Sequence, residues 1–295
     1  MIYVIVGPTG SGKTSIACQL SDKFNLPIIN ADAFQIYQEM NIGTAKIDKD
    51  DPIFKKHFLI DLINPSQTYS VKQYRDDFDK VFPSLLNANK DIIICGGTGL
   101  YVRAALYDYQ FPEEETFDDS KYDDFSNEEL HEMLEKVDPQ SAEKIHANNR
   151  KRVIRALVFA ENAGLTKSEN IANQEHQLRF DNVEILFLNP NREDLYQHIN
   201  DRVDQMFEDG LVDEVKDLLK KYQFSLTAYQ AIGYKEVIDY LNGETSLDEC
   251  KELIKKRSRN YAKRQVTFFK HQFEYHQFDN PKDLFDYINA KMIDK

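Results

Sequence analysis

The sequence predicts an α/β fold in which a parallel sheet, covered on both faces by helices, is interrupted by an inserted helical subdomain. Three observations carry that expectation. Short, unbroken apolar runs lead into helical periodicity, a glycine-rich turn follows the first run directly, and a long central stretch is charged and helical without a comparable apolar run. Residues 2–6 are the first run, Gly7 to Thr14 make the turn, and residues 15–24 read as a helix with Ile16, Leu20 and Phe24 at helical spacing. Residues 26–30 form a second run ending in Ala31-Asp32, and residues 91–95 a third ending in Gly96-Gly97-Thr98. Strands buried on both faces read as continuous apolar runs, and such sheets carry their functional residues at the carboxyl ends of the strands. Residues 112–180 turn to charged helices, broken near Asp138-Pro139 and Gly164, before residues 183–188 return as a late strand. Helical patterns then cover residues 192–208, 212–222, 233–241 and 247–271. The expected division is a core of residues 1–111 and 181–295 with an insertion at 112–180.

With 295 residues the chain is long enough to bury a substantial core. No stretch has the length and apolarity of a membrane span, and the first run leads straight into a turn without a signal-peptide pattern. Three widely spaced cysteines, Cys18, Cys95 and Cys250, suit neither a disulfide framework nor a zinc site. A reducing, cytoplasmic setting without membrane attachment is the expectation. The net charge of −13 argues at first against a polyanionic partner, but the charge is unevenly distributed. Much of the acidity lies in residues 111–130. Arg150, Lys151, Arg152 and Arg155, and again Lys255, Lys256, Arg257, Arg259, Lys263 and Arg264, form basic clusters suited either to a directed anion site or to solvated helix faces.

Gly7-Pro8-Thr9-Gly10-Ser11-Gly12-Lys13-Thr14 matches G-x-x-x-x-G-K-[ST] between a strand and a helix, the context that its mechanism needs. Glycines let successive backbone N–H groups converge on phosphate oxygens, Lys13 neutralises charge, and the Thr14 hydroxyl can ligate magnesium. The motif specifies a pyrophosphate, not ATP. An ordinary kinase or ATPase also places a second carboxylate at a strand end, yet the third run ends in Gly96-Gly97-Thr98. Asp32 is then the main acidic candidate. Its position suits a magnesium ligand, a general base or a helix cap, and the residues alone leave these open.

The ordered series of motifs closely resembles the tRNA dimethylallyltransferases, also called tRNA isopentenyltransferases. The resemblance covers nearly the whole chain. It rests on the glycine-rich loop, Asp32-Ala33-Phe34-Gln35-Ile36-Tyr37, Met40-Asn41-Ile42-Gly43-Thr44-Ala45-Lys46 and Gly96-Gly97-Thr98-Gly99-Leu100-Tyr101. Arg152-Val153-Ile154-Arg155, Arg202-Val203-Asp204-Gln205-Met206, Gly210-Leu211-Val212-Asp213-Glu214-Val215, Ala231-Ile232-Gly233-Tyr234-Lys235 and Lys263-Arg264-Gln265 continue it. It implies a P-loop NTPase-like core with the helical insertion, no ATP hydrolysis, and transfer of a dimethylallyl group from dimethylallyl diphosphate to the N6 amine of adenosine-37. That base lies beside the anticodon in tRNAs reading codons that start with U.

Carried over by position, the resemblance implies that Asp32, Thr98 and Arg202 are catalytic, with Asp32 the general base and Arg202 on the departing diphosphate. Gly7, Pro8, Thr9, Gly10, Ser11, Gly12, Lys13 and Thr14 would hold the diphosphate, and Thr14 a magnesium ion. The tRNA anticodon stem-loop would meet Asp32, Ala33, Phe34, Gln35 and Thr98, then Lys121, Lys151, Arg152, Val153, Ile154 and Arg155 in the insertion, and Gln230, Lys235, Lys263 and Arg264. The enzyme is expected to act as a monomer. Of Phe268 and Phe269, one is expected in the core and one is open to base stacking. Ala33 departs from the serine frequent in the family, and Phe268 from a tryptophan, which keeps an aromatic face but loses an N–H donor.

Overall fold

In the computed structural model, which describes residues 1–108, 120–172 and 177–293, the first apolar run is β1 (Ile2–Val6), buried throughout. The expected boundary at 111/112 and most of the acidic run lie outside the described residues. The chain continues through α1 (Lys13–Phe24), β2 (Ile28–Asn30), β3 (His57–Phe58), α2 (Val71–Ala88), β4 (Ile92–Gly96) and α3 (Gly99–Leu106). Four helices follow, α4 (Asn127–Val137), α5 (Pro139–Lys144), α6 (Arg150–Ala163) and α7 (Lys167–Ala172). The sheet resumes with β5 (Val183–Leu188), and α8 (Arg192–Glu208), α9 (Leu211–Lys221), α10 (Leu226–Tyr229), α11 (Tyr234–Leu241) and α12 (Leu247–Gln272) come next. The last elements are β6 (His276–Phe278) and α13 (Pro281–Ile293).

The six strands form one sheet in the order β3-β2-β4-β1-β5-β6, and every pairing is parallel. β1 lies between β4 and β5, with Val6 opposite both Gly96 and Phe187, so the ends of these strands form a common edge. Alternate residues face opposite ways. Tyr3, Ile5, Ile93, Cys95, Leu186 and Leu188 share a buried cluster with Ile16 and Leu20 of α1 and Leu284 and Ile288 of α13. Elsewhere in the core Tyr74 of α2 stacks on Tyr101 of α3 at 4.1 Å, and Phe187 of β5 meets Phe269 of α12 at 5.7 Å. Local signals set the helix starts: Ser70 with Gln73, Ser126 with Glu129, and Ser246 with Glu249 make capping boxes at α2, α4 and α12. α1 ends at Asn25, which adopts the left-handed conformation common at helix ends.

Two compact units result, residues 1–106 with 180–295, and residues 107–179. The second is built on Leu130 and Leu134 of α4 packed against Val153, Ala156 and Leu157 of α6. Among the described residues no helix is long and apolar enough to cross a membrane.

The close pairing of β2 and β4 leaves no room beside Gly96, where an added Cβ would lie 2.1 Å from the Ala31 carbonyl oxygen. Gly96→Ala is therefore expected to destabilise the protein by about 1–3 kcal/mol in urea unfolding. A wild-type midpoint would contradict this packing.

Candidate active site at the strand ends

The ends of β1, β2 and β4 supply the polar groups of the larger unit. After β1 the chain turns through Gly7 to Gly12, and Gly12 enters α1 at φ 89°, a conformation that a side chain would strain. The first turn of α1 has neither a side-chain cap nor an acidic residue. Its N–H groups and the positive end of its dipole therefore face the turn, which favours an anion there. Ser11 Oγ is buried without a hydrogen-bond partner, and the buried Lys13 donates from Nζ to the Pro8 carbonyl at 3.2 Å. Burial lowers the Lys13 pKa, with Cys95 and Asp32 opposing and the positive Arg202 reinforcing the shift.

Asp32 leaves β2 in a fixed pose. Asn30 braces it, accepting the Asp32 N–H at 3.2 Å and donating to the Asp32 and Leu59 carbonyls at 3.1 and 2.9 Å. Asp32 Oδ1 accepts the Phe34 N–H at 3.0 Å. This is a turn contact and not a helix cap, because residues 31–46 form loops and turns. Thr98, just beyond β4, donates its N–H to the Ala31 carbonyl at 3.0 Å and accepts the Ala33 N–H on its hydroxyl at 2.9 Å. These two bonds hold Thr98 against the Asp32 loop.

Two later helices complete the arrangement. Arg202 of α8 donates from Nη1 to the Thr9 hydroxyl at 3.0 Å, and burial lowers its pKa while Asp32 opposes the shift. Gln265 of α12, itself buried, accepts the Thr9 N–H at 2.9 Å and donates to the Gly97 carbonyl at 2.9 Å. It joins the glycine-rich turn to the end of β4. One turn earlier on α12 lies Tyr261, and burial together with the Asp32 charge raises its phenol pKa. A cavity meets these groups. Its polar lining includes Thr9, Asp32, Arg202 and Tyr261, and its apolar lining Ile199, Val203, Met206, Ile232 and Ile254. Lysine, arginine and a helix N-terminus beside one carboxylate can hold a diphosphate and accept a proton next to it.

The glycine-rich loop, Asp32, Thr98 and Arg202 thus come together. Ala33, Phe34 and Gln35 share the Asp32 loop, Phe34 lines the cavity, and Gln35 donates to the Thr44 carbonyl at 3.2 Å. Gln230 is exposed after α10, and Lys235 lies 5.9 Å from the Tyr229 ring. Lys263 and Arg264 are exposed on α12, with Arg264 5.6 Å from the Tyr261 ring. Phe269 is core, while Phe268 is half-buried against Gly99. Part of the second basic stretch serves the fold instead of a ligand: Lys255 pairs with Asp204 at 2.8 Å, Arg257 with the buried Glu236, and Arg259 bonds Asn200 at 2.5 Å.

Within the helical unit, Lys151, Arg152 and Arg155 are exposed on α6, and Lys121 is ion-paired with Glu161. Val153 and Ile154 correct the sequence expectation. Both side chains turn into the core of that unit, so neither presents an RNA-contacting surface. Conversely, the sequence reading does not single out Tyr261, and it quotes Gln265 only as part of the Lys263-Arg264-Gln265 motif. The signal was their i, i+4 spacing, which puts Tyr261, Gln265 and Phe269 on one face of α12.

The IPP transferase family model matches residues 35–272. A tRNA dimethylallyltransferase of Bacillus licheniformis is 39% identical, the match covering 99% of this chain and 97% of that protein. The chain belongs to the IPP transferase family. Among solved structures it is similar to the tRNA delta(2)-isopentenylpyrophosphate transferase of Staphylococcus epidermidis, at 34% identity and a TM-score of 0.69 over 99% of this chain and 98% of the other. It is also similar to a eukaryotic dimethylallyltransferase acting on tRNA, at 28% identity and a TM-score of 0.79, covering 99% of this chain and 77% of that one.

The buried Lys13 ammonium is a charge held against the preference of the fold. Its desolvation penalty is fully present below the folded pKa and is relieved as pH rises from there toward the ordinary value of 10.5. Lys13→Met is expected to abolish pyrophosphate binding while leaving the urea midpoint at or above that of the wild type, by up to about 2 kcal/mol near neutral pH. A clearly lowered midpoint would show that Lys13 stabilises the fold and refute this view.

Proposed function

We propose that this chain transfers a dimethylallyl group from dimethylallyl diphosphate to the N6 amine of adenosine-37, beside the anticodon in tRNAs reading codons that start with U, releasing diphosphate. The observation that carries the reading is the joining of an anion cradle to a single carboxylate at neighbouring strand ends. Lys13, Arg202 and the N-terminus of α1 supply the cradle, and Asp32, whose loop is tied to Thr98, supplies the neighbouring carboxylate. Family membership supplies the substrates.

In the reaction, the N6 nitrogen forms a bond to C1 of the donor as the C1–O bond breaks, and the electron pair leaves with the diphosphate. Negative charge therefore grows on the leaving group, where Lys13 and the planar guanidinium of Arg202 stabilise it. The N6 proton passes to Asp32, whose carboxylate lines the cavity and is fixed by the Phe34 N–H. Thr98 positions the Asp32 loop through Ala33. The apolar lining of Ile199, Val203 and Met206 suits the five-carbon chain and excludes water from the reacting carbon. Lifting the target base out of its stack costs a few kcal/mol, which contacts with residues 32–35 offset.

The donor set fits a magnesium ion. Among the described residues no three His, Cys, Asp or Glu side chains gather as a metal cage, but Thr14, in the first turn of α1, offers a hard oxygen atom beside the diphosphate cradle. Magnesium typically takes one or two such protein ligands and substrate phosphates. Bound there, it would neutralise charge on the leaving diphosphate. The wider RNA surface comprises Gln230, Lys235, Lys263 and Arg264, together with Lys151, Arg152 and Arg155 on α6. The reading takes the enzyme to act as a monomer in the cytoplasm.

Incubation with undermodified tRNA, magnesium and labelled dimethylallyl diphosphate is expected to place one five-carbon unit on adenosine. ATP turnover with unlabelled tRNA would contradict the assignment. Asp32→Ala is expected to slow single-turnover transfer by about a hundredfold or more, and an unchanged rate would remove its role as base. Replacing both Lys151 and Arg155 with Ala should lower the magnitude of the log–log salt slope of tRNA binding by about 1.5 and leave donor affinity unchanged. Equal loss for both substrates would count against the RNA role of α6.

A further inference from the structure

We infer that Glu214 is a positioning residue for the acceptor side of the active site, holding the loop of residues 40–46 in the shape that receives the target base. The inference rests on the tRNA-prenylating reading and adds a residue outside the cradle and the reacting groups.

Glu214 lies on α9, away from all three strand ends, and its carboxylate meets four donors. Oε2 accepts the Asn41 and Ile42 N–H groups at 3.0 and 2.8 Å, and Oε1 accepts the Gly43 N–H at 3.3 Å and the Tyr234 hydroxyl at 2.7 Å. An ionised carboxylate has about four lone-pair sites, so these partners satisfy it. Three successive backbone N–H groups converge only when a loop folds around its acceptor, the concave arrangement that proteins elsewhere use for anions. Here the anion belongs to the protein itself, and its effect is to fix a main-chain curve.

That curve faces the chemistry. Gly43 and Thr44 line the same cavity as Asp32, Arg202 and Tyr261. The Thr44 carbonyl accepts from Gln35, three residues beyond Asp32, so the Glu214-bound loop also supports the segment beside the general base. Tyr234 closes the arrangement from behind: its ring packs so tightly on Gly43 that an added Cβ would lie 2.4 Å from it. The loop has no helix or strand of its own, so side chains set its path. The four hydrogen bonds of its carboxylate go to this loop and to Tyr234, and none to the glycine-rich turn. Loss of the carboxylate is therefore predicted to affect the acceptor and spare the diphosphate cradle.

Glu214→Gln keeps the size of the side chain but turns an NH2 group toward backbone donors, leaving at least one of them unsatisfied. The kcat/KM of the variant for tRNA is expected to fall about tenfold or more, while its affinity for inorganic pyrophosphate stays at the wild-type value. Tyr234→Phe removes one bond and keeps the packing on Gly43, and it should show the same selective loss at smaller size. A loss shared equally between tRNA and inorganic pyrophosphate in both variants would make Glu214 a general structural residue, and wild-type tRNA kinetics in Glu214→Gln would likewise overturn the inference. The parallel wild-type assay separates the two levels, since failure of wild-type protein to prenylate tRNA would sink the proposed function itself.

Discussion

Two cations, the buried Lys13 and the half-buried Arg202, meet the glycine-rich turn at the Pro8 carbonyl and the Thr9 hydroxyl, with Asp32 as the neighbouring carboxylate that offsets part of their charge. Burying charge without matched partners is unfavourable, and a fold retains such an arrangement where a ligand supplies the missing complement. The rest of the larger unit can be understood as a frame for this charge cluster. The central position of β1 puts the glycine-rich turn between the ends of β4 and β5, and the tight approach at Gly96 draws β2 against β4, so that Asp32 and Thr98 share one loop-to-loop contact.

The strand ends alone do not make the site. α8 delivers Arg202, and α12 sends Gln265 between Thr9 and Gly97, where its amide uses both a donor and an acceptor. α9 contributes through Glu214, which shapes a loop that would otherwise have no regular structure to define it. The glycine-rich motif is widespread as a phosphate binder, whereas these later helices supply what is particular to this site: Arg202, an apolar cavity lining and the carboxylate that holds the loop of residues 40–46.

Much of this was legible in the sequence, for identifiable reasons. β1 and β4 are unbroken apolar runs of five residues, and β5 is interrupted only by Glu184 near its start, so each is long enough to declare a buried parallel strand. β3 and β6 have only two and three residues and include His57, His276 and Gln277, so no apolar pattern marks them; main-chain pairing at the sheet edges defines them instead. The loop, Asp32, Thr98 and Arg202 could be named because motif order carries them. Val153 and Ile154 could not be separated from their basic neighbours by motif, although helical spacing around Leu157 already hints that they face inward. Glu214 is quoted within a motif but receives no role from the sequence, because three of its four partners are backbone N–H groups, which leave no trace in residue identity. The same holds for the ion pairs of Lys255 and Arg257, whose acidic partners come from α8 and α11.

The central claim is that the Lys13–Arg202 cluster is completed by a diphosphate. Urea unfolding with and without magnesium pyrophosphate tests it most directly, because a ligand that binds only the folded state stabilises it by mass action. At about a hundred times its dissociation constant, pyrophosphate should raise the unfolding free energy of the wild type by about 2.7 kcal/mol, and Arg202→Ala should lose much of that gain at the same concentration. A wild-type transition that stays in place at millimolar pyrophosphate would contradict the account.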